Sequence, residues 1–121
     1  MRGGGVDLSL RRRPADVRRD ASIGWHAGVA RYRGDRLDWY RLTSLRPGPS
    51  VALDRTELEI LDRRTPAGAE SYVMPTAAAV LRLRSRGVEV ELAMSTGVLT
   101  GFLAWLEAVP PGRTTGYRQA S

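Results

Sequence analysis

The sequence predicts a mainly β protein with one C-terminal α-helix, arranged as a small antiparallel sheet or barrel that the helix covers. Apolar and polar residues alternate with a period of two along most of the chain, which is typical of strands with one buried face. Residues 95–109 instead carry apolar residues at spacings of three and four, which is typical of an amphipathic helix. Packing that helix on the sheet would bury both apolar surfaces.

The N-terminal part of the chain is predicted to contain three strands. Residues 6–10 alternate strictly between apolar and polar side chains and form a short first strand. Residues 24–32 and 37–42 form two further strands, joined by the Arg-Gly-Asp-Arg turn at 33–36, which is a good hairpin signal. Residues 45–50 contain Pro-Gly-Pro and must form a turn.

The middle of the chain has weaker strand signals. Val51 and Leu53 predict a short strand, and the residues around Leu58 and Ile60 predict a longer one. Tyr72 and Val73 are expected to form an edge strand that ends before Pro75.

A strand hairpin and one helix close the predicted fold. Residues 78–84 and 88–93 pair around a tight turn at 85–87. Ser95 or Thr96 caps the helix, and Pro110 and Pro111 are expected to stop it. Gly101 is expected to allow its close approach to the sheet. One predicted core joins helix and hairpin, and its members are Trp105, Phe102, Leu106, Val90, Leu92 and Leu81.

Length and composition indicate one domain, which we expect to span residues 6–110 of the 121. Residues 1–5 are then a flexible lead-in or the remnant of a removed upstream segment, and residues 111–121 a flexible tail. The chain has no cysteine, which excludes disulfides, thiolate nucleophiles and cysteine-ligated zinc.

The positive charge is concentrated at one end of the chain. Residues 1–46 carry eleven arginines and five aspartates, and therefore the whole net charge of +6. The densest stretch lies in a predicted basic loop at residues 11–22, which has no apolar periodicity. Its arginines are expected to be exposed and are the candidates for binding an anionic partner: Arg11, Arg12, Arg13, Arg18 and Arg19.

Three interpretations of this loop remain open. It is a solvated loop without a partner, or it contacts acidic phospholipids, at about 1 kcal/mol per well-placed arginine, or it contacts nucleic acid phosphates. Nucleic acid fits less well, because readers of single strands interleave exposed aromatic residues with basic ones. Residues 1–23 contain no aromatic residue.

The sequence indicates no enzyme, metal site or cofactor site. The single histidine, His26, is expected to be partly buried in a strand with a structural role. Glu57 and Glu59, like Glu89 and Glu91, are spaced by two, which places each pair on one strand face, expected to be the solvated one. No serine has a neighbouring base, and no glycine motif that cradles phosphates is present.

Two stretches resemble a family of actinobacterial proteins of unknown function, the domain-of-unknown-function family 2550. The first hairpin carries GWHAGVARY and LDWYR, and the closing segment carries VEVELAM and LTGFLAWLE. The resemblance implies a short protein, often encoded beside ATP synthase genes, with an N-terminal membrane-spanning segment that this chain lacks. The ending of two strands and a helix also resembles a pleckstrin-homology-type split barrel capped by its helix, which is a likeness of fold only.

Together these observations lead to one functional expectation and one alternative. We expect a non-catalytic domain that binds a protein partner or anionic lipid at the cytoplasmic face of the membrane, and a chain that is soluble as given. The alternative is a nucleic-acid-binding module of low sequence specificity.

Overall fold

Seven antiparallel strands and one α-helix make up the fold in the computed structural model, which describes residues 5–12, 24–75 and 77–108. The expected lead-in at 1–5, except for Gly5, and the expected tail at 111–121 lie outside these residues. The strands are β1 Val6–Arg12, β2 His26–Arg33, β3 Arg36–Arg41, β4 Val51–Asp54, β5 Leu58–Arg64, β6 Ala78–Ser85 and β7 Val88–Ser95, and the helix α1 is Thr96–Glu107. Two short 3₁₀ helices cover Arg55–Glu57 and Gly68–Val73.

The strands form one sheet in the order β4-β3-β2-β1-β7-β6-β5, which curls into a half-barrel. The first and last strands therefore pair at its centre, where Leu10 of β1 lies opposite Leu92 of β7. The predicted class, mainly β with one C-terminal helix, is confirmed.

The two predicted hairpins are present and have tight turns. Gly34 and Asp35 connect β2 to β3, with Gly34 at a φ of 64°. Arg86 and Gly87 connect β6 to β7, with φ values of 51° and 81°. In the β6–β7 turn both central residues have a positive φ, and the twist of this turn geometry matches the twist of the paired strands.

The main core lies between the concave face of the half-barrel and α1. Five of the six predicted core residues, Leu81, Val90, Leu92, Phe102 and Leu106, are buried there. The sixth is only partly buried, because the ring of Trp105 lies at the margin of the cluster. Its indole Nε1 donates to the carbonyl of Gly34 at 2.8 Å, and this contact joins the helix to the β2–β3 turn.

A second indole ties the N-terminal strands together. The ring of Trp39 on β3 crosses β2 at Gly28, and its Nε1 donates to the Leu8 carbonyl on β1 at 2.8 Å. A Cβ atom at Gly28 would lie only 2.5 Å from that ring. Glycine is therefore required at this position by close approach.

Three local expectations about the helix can be compared with the structure. Ser95 is the N-cap, and its Oγ accepts a hydrogen bond from the backbone N–H of Val98 at 3.2 Å. The expected role of Gly101 is wrong, since a Cβ there would meet no atom within 4 Å. The described helix ends at Glu107, and the expected proline stop lies outside the described residues.

Two other expectations are also wrong. Tyr72 and Val73 lie in the 3₁₀ helix Gly68–Val73 and not in an edge strand. The carboxylate of Glu70 accepts the backbone N–H of Ala67 at 2.8 Å, which closes a turn where a strand would have extended. In addition β1 continues through Arg12, so Arg11 and Arg12 belong to the sheet and not to the loop expected at 11–22.

Candidate functional site

Arg11 is the clearest departure from the sequence-based expectation. It was expected to be exposed, but its side chain is 1% exposed on the convex face of the sheet. The guanidinium group pairs with the carboxylates of Glu91 and Glu70 and lies 4.8 Å from the ring centroid of Trp25. Arg11 is therefore a structural residue and is excluded as a surface anion ligand.

The contacts of Arg11 belong to a buried ion network, made of Arg11, Arg64, Glu70 and Glu91. Glu70 is fully buried and accepts hydrogen bonds from Arg64 at 2.7 and 2.8 Å and from Trp25 Nε1 at 3.0 Å. Arg64 also reaches Glu91 at 3.3 Å. Among the described residues the network pairs two cations with two anions, and it attaches the 3₁₀ helix Gly68–Val73 to β1 and β7.

The pKa of Glu70 reports how strongly this network favours the carboxylate. Burial alone would raise it, but hydrogen bonds from Arg64, the Ala67 backbone and Trp25, with the charge of Arg64, lower it to about 2. Glu91 was expected to face water with Glu89, and that expectation is wrong because Glu91 is 4% exposed. Glu57 and Glu59 are exposed as expected.

Arg12, the next residue along β1, lies on an open surface. It lines a pocket of about 700 Å³ that we call the basic pocket. Antiparallel pairing places the end of β1, the start of β2, the end of β3 and the start of β4 at one end of the sheet, and the pocket lies there. Its polar lining consists of Arg12, His26, Arg41, Thr43, Ser44, Arg46 and Ser50.

The described lining of the basic pocket is positively charged. Among the residues that the structure describes, no carboxylate belongs to this lining. Within the described part of the chain, Arg12, Arg41 and Arg46 have no carboxylate partner. Arg12 instead donates from Nη2 to the Ser50 carbonyl at 3.2 Å, and Arg41 donates from Nε to Thr43 Oγ1 at 3.1 Å.

His26 forms part of the wall of this pocket. It was expected to be partly buried, but it is exposed, because it begins β2 opposite Leu10 at the open end of the sheet. The neighbouring Trp25 is the buried residue of the pair. Partial desolvation, followed by the positive charge of Arg41, lowers the pKa of His26 below its usual value.

Four exposed apolar side chains, which we call the apolar patch, lie near the same end of the sheet: Leu42, Leu45, Tyr72 and Val73. Their exposed fractions are 65%, 100%, 88% and 40%. Leu42, Tyr72 and Val73 line a shallow cleft over Ala27 and Gly28 of β2, on the face of the sheet opposite to His26. Leu45 lies on the β3–β4 loop between Ser44 and Arg46, which line the basic pocket.

The remaining candidate arginines, Arg13, Arg18 and Arg19, lie outside the described residues. The segment that contains them joins Arg12 to Gly24, and both of these residues line the basic pocket. Of the candidate arginines that the structure describes, Arg12 lines the basic pocket and Arg11 is buried, while Arg41, Arg46, His26 and Leu45 were not among the sequence-based candidates. Leucines in a proline- and glycine-rich turn were the signal that could have identified the loop.

The described ranges contain neither a membrane-spanning helix nor a metal-binding group of side chains. No helix in residues 5–12, 24–75 and 77–108 combines the length and apolar character needed to cross a membrane. The same ranges contain no group of three histidine, aspartate or glutamate side chains placed to hold a metal ion.

Comparison with known proteins identifies the family. A family model described as protein of unknown function (DUF2550) matches residues 1–112. The chain belongs to the DUF2550 family. The uncharacterized protein Rv1312 of Mycobacterium tuberculosis (strain ATCC 25618 / H37Rv) is 40% identical over 117 residues, 93% of this chain and 77% of the relative. The uncharacterized protein ML1147 of Mycobacterium leprae (strain TN) is 41% identical over 118 residues, 94% of this chain and 78% of the relative.

Proposed function

We propose that this DUF2550 chain is a non-catalytic domain that binds anionic lipid at the cytoplasmic face of a membrane. One observation carries the proposal: the basic pocket and the apolar patch lie at the same end of the sheet, where His26 of β2 lines the first and its neighbour Ala27 lines the second from the opposite face. Cationic side chains attract acidic headgroups, while adjacent apolar side chains enter the boundary between headgroups and acyl chains. A surface that binds both layers of a lipid leaflet needs this combination.

The β3–β4 loop supplies both kinds of side chain. Leu42 and Leu45 alternate along it with Arg41, Ser44 and Arg46, so that apolar and basic groups are presented at the same end of the sheet. Fully exposed leucine is costly in water, and burying it in the interface would return part of that free energy. The likeness to a pleckstrin-homology-type barrel is part of the same proposal. So is the cytoplasmic location, because the positive-inside rule places arginine-rich segments near a membrane on its cytoplasmic side.

Nucleic acid is less well supported as the ligand. The two tryptophans next to the basic pocket, Trp25 and Trp39, are buried, and their indole N–H groups donate to Glu70 and to the Leu8 carbonyl. Neither ring is therefore available to stack on bases. A protein partner remains as an outcome of the experiments below.

The proposal is tested first through the apolar patch. The chain should co-sediment with vesicles that contain phosphatidylglycerol, less strongly as salt is raised, and only weakly with pure phosphatidylcholine. Changing Leu42→Ser and Leu45→Ser together should weaken vesicle binding by about tenfold or more, since about 1.4 kcal/mol of lost apolar transfer is tenfold in affinity.

Ile60→Ser is the matched control, because Ile60 is 37% exposed and lies on β5, at the opposite edge of the sheet from β3 and β4. It should bind vesicles like the parent chain. Equal losses in the leucine variant and the control, or sequence-selective nucleic acid binding that survives physiological salt, would exclude the lipid proposal. Binding to neither ligand would favour a protein partner.

A second test uses the arginines of β1 and of the segment after it. Changing Arg12, Arg13, Arg18 and Arg19 to serine takes the formal net charge from +6 to +2. We expect the variant to fold within about 1 kcal/mol of the parent and to lose most of its binding to acidic vesicles. Chemical denaturation and co-sedimentation measure the two effects, and parental vesicle binding would show that these arginines are not used.

Arg11 must be left unchanged in that variant. Arg11→Ser alone would leave Glu70 and Glu91 with only Arg64 in the buried ion network. Removing one partner from a buried pair is strongly destabilising. This variant should therefore unfold at lower denaturant concentration, although the charge change is only one unit.

A further inference from the structure

We infer that the basic pocket is a site for a phosphate group, held by Arg12, Arg41 and Arg46 with hydroxyl groups of the β3–β4 loop. This inference deepens the proposed function by naming the chemistry of its polar ligand, and it rests on that function only for the location of the ligand in a membrane. It concerns phosphomonoesters, whether they are free compounds or lipid headgroups.

The distribution of ion pairs is the first argument. Most other described arginines are paired with a carboxylate, among them Arg33 and Arg36 with Asp38 and Arg84 with Glu59. The pocket arginines have no such partner in the residues that the structure describes. In the described residues the fold therefore neutralises most of its arginines elsewhere and leaves three without a carboxylate partner around one cavity.

The donor geometry is the second argument. Arg12 and Arg41 each use one N–H group on a neutral oxygen, Ser50 O and Thr43 Oγ1, and these bonds hold the two side chains at the pocket wall. A guanidinium group has five N–H donors in a planar fork, so most of the donors of each remain for a ligand. Such forks match phosphate oxygens in pairs.

The third argument concerns size and hydroxyl groups. About 700 Å³ is more than a bare phosphate ion fills and lies in the usual range for small-molecule sites. Ser44 and Thr43 line the pocket beside the arginines, and hydroxyl groups donate well to phosphate oxygens. A phosphate carried on a small polar group, such as glycerol, fits this lining.

His26 provides a built-in reporter of occupancy. Among the described residues, the titratable and charged side chains in the pocket lining are Arg12 from β1, His26 from β2, Arg41 from β3 and Arg46 from the loop, all of them basic. A bound dianion would oppose the field of Arg41, which lowers the pKa of His26. Occupancy should therefore raise that pKa.

The test titrates the full chain with inorganic phosphate and with glycerol 3-phosphate while NMR follows the His26 ring at several pH values. We expect saturable binding and an increase in the His26 pKa with both probes. Arg41→Gln should weaken binding by about tenfold or more, the scale expected for one charge-assisted contact. Arg63→Gln is the matched control, because Arg63 is exposed on β5 at the far edge of the sheet.

The outcomes distinguish a lipid headgroup from a free phosphate compound, and they test the phosphate site and the lipid proposal separately. If the chain prefers vesicles with phosphatidic acid to vesicles with phosphatidylglycerol at equal charge, and Arg41→Gln loses this preference, the phosphate belongs to a lipid headgroup. Binding of glycerol 3-phosphate without vesicle binding supports the site, assigns it to a free phosphate compound and overturns the lipid proposal. Vesicle binding without saturable binding of either probe, or equal losses in Arg41→Gln and Arg63→Gln, overturns the phosphate site and leaves the lipid proposal standing.

Discussion

Replacing Phe102 with alanine is expected to lower the free energy of unfolding by about 3–5 kcal/mol, the range for a buried phenylalanine. The side chain is 1% exposed and lies in the main core with Leu92 and Leu106, and its ring centroid is 5.8 Å from that of Trp105. Because α1 packs on the half-barrel through this face, the cavity would lie between the two. The loss is a large share of the stability of a small domain.

Thr100→Ala is the control for the helix itself. Thr100 is exposed on the opposite side of α1, and its Oγ1 donates only to the Thr96 carbonyl one turn earlier. This change should shift the free energy of unfolding by no more than about 0.5 kcal/mol. Chemical denaturation measures both variants, and a loss below about 1 kcal/mol in Phe102→Ala would mean that the helix is not packed as described.

Glu70→Gln is expected to have an effect of similar size, about 3 kcal/mol or more at neutral pH, because it breaks a buried set of ion pairs by removing one partner. Glu70 is fully buried and receives donors from Arg64, Trp25 and the Ala67 backbone. An amide keeps the volume but loses the charge. Arg11 and Arg64 would then have only Glu91 as a carboxylate partner in the network.

This effect should depend on pH in a direction set by the pKa of Glu70. The pKa is lowered in the folded state, from 4.5 to about 2, so the carboxylate stabilises the fold fully above pH 4.5. That stabilisation is lost as the pH falls toward 2, where the folded protein also takes up the proton. The difference between the parent chain and Glu70→Gln should therefore be largest at neutral pH and decrease through this range.

Glu59→Gln is the control for a general acid effect. Glu59 is 58% exposed and pairs with Arg84 at 3.0 Å on the surface. Exposed pairs contribute about 0–1 kcal/mol, so this variant should unfold almost like the parent at every pH. If Glu70→Gln is equally mild, or if its effect does not decrease in acid, the buried ion network does not hold the 3₁₀ helix as described.

The sequence was sufficient for the architecture because local patterns encode it. The closing hairpin follows from the alternation along residues 78–93 and the turn at Arg86 and Gly87, and α1 follows from its apolar face and from Ser95. The buried positions Phe102 and Leu92 follow from the same periodicities. The alternation carries no information on strand order, so the pairing of β1 with β7 was known only from the structure.

The proposed binding surface was much less accessible from the sequence. The expected basic loop treated Arg11 and Arg12 alike, although one is buried and the other lines the basic pocket. Arg41 and Arg46 were not identified, because their importance depends on the strands and loops that meet at one end of the sheet. Leu42 and Leu45 are apolar residues in a turn, which a period of two does not explain.

By itself, the sequence determined most of the strands, the start of the helix and most of the apolar side chains that enter the main core. Only the tertiary structure decided what covers the convex face of the sheet. Alternation predicts that every second side chain of a strand faces water, and Arg11 and Glu91 occupy such positions. Trp25 and Met74 pack over that face against Val80 and Ala93. A buried charge there is stable only because distant segments supply its partners.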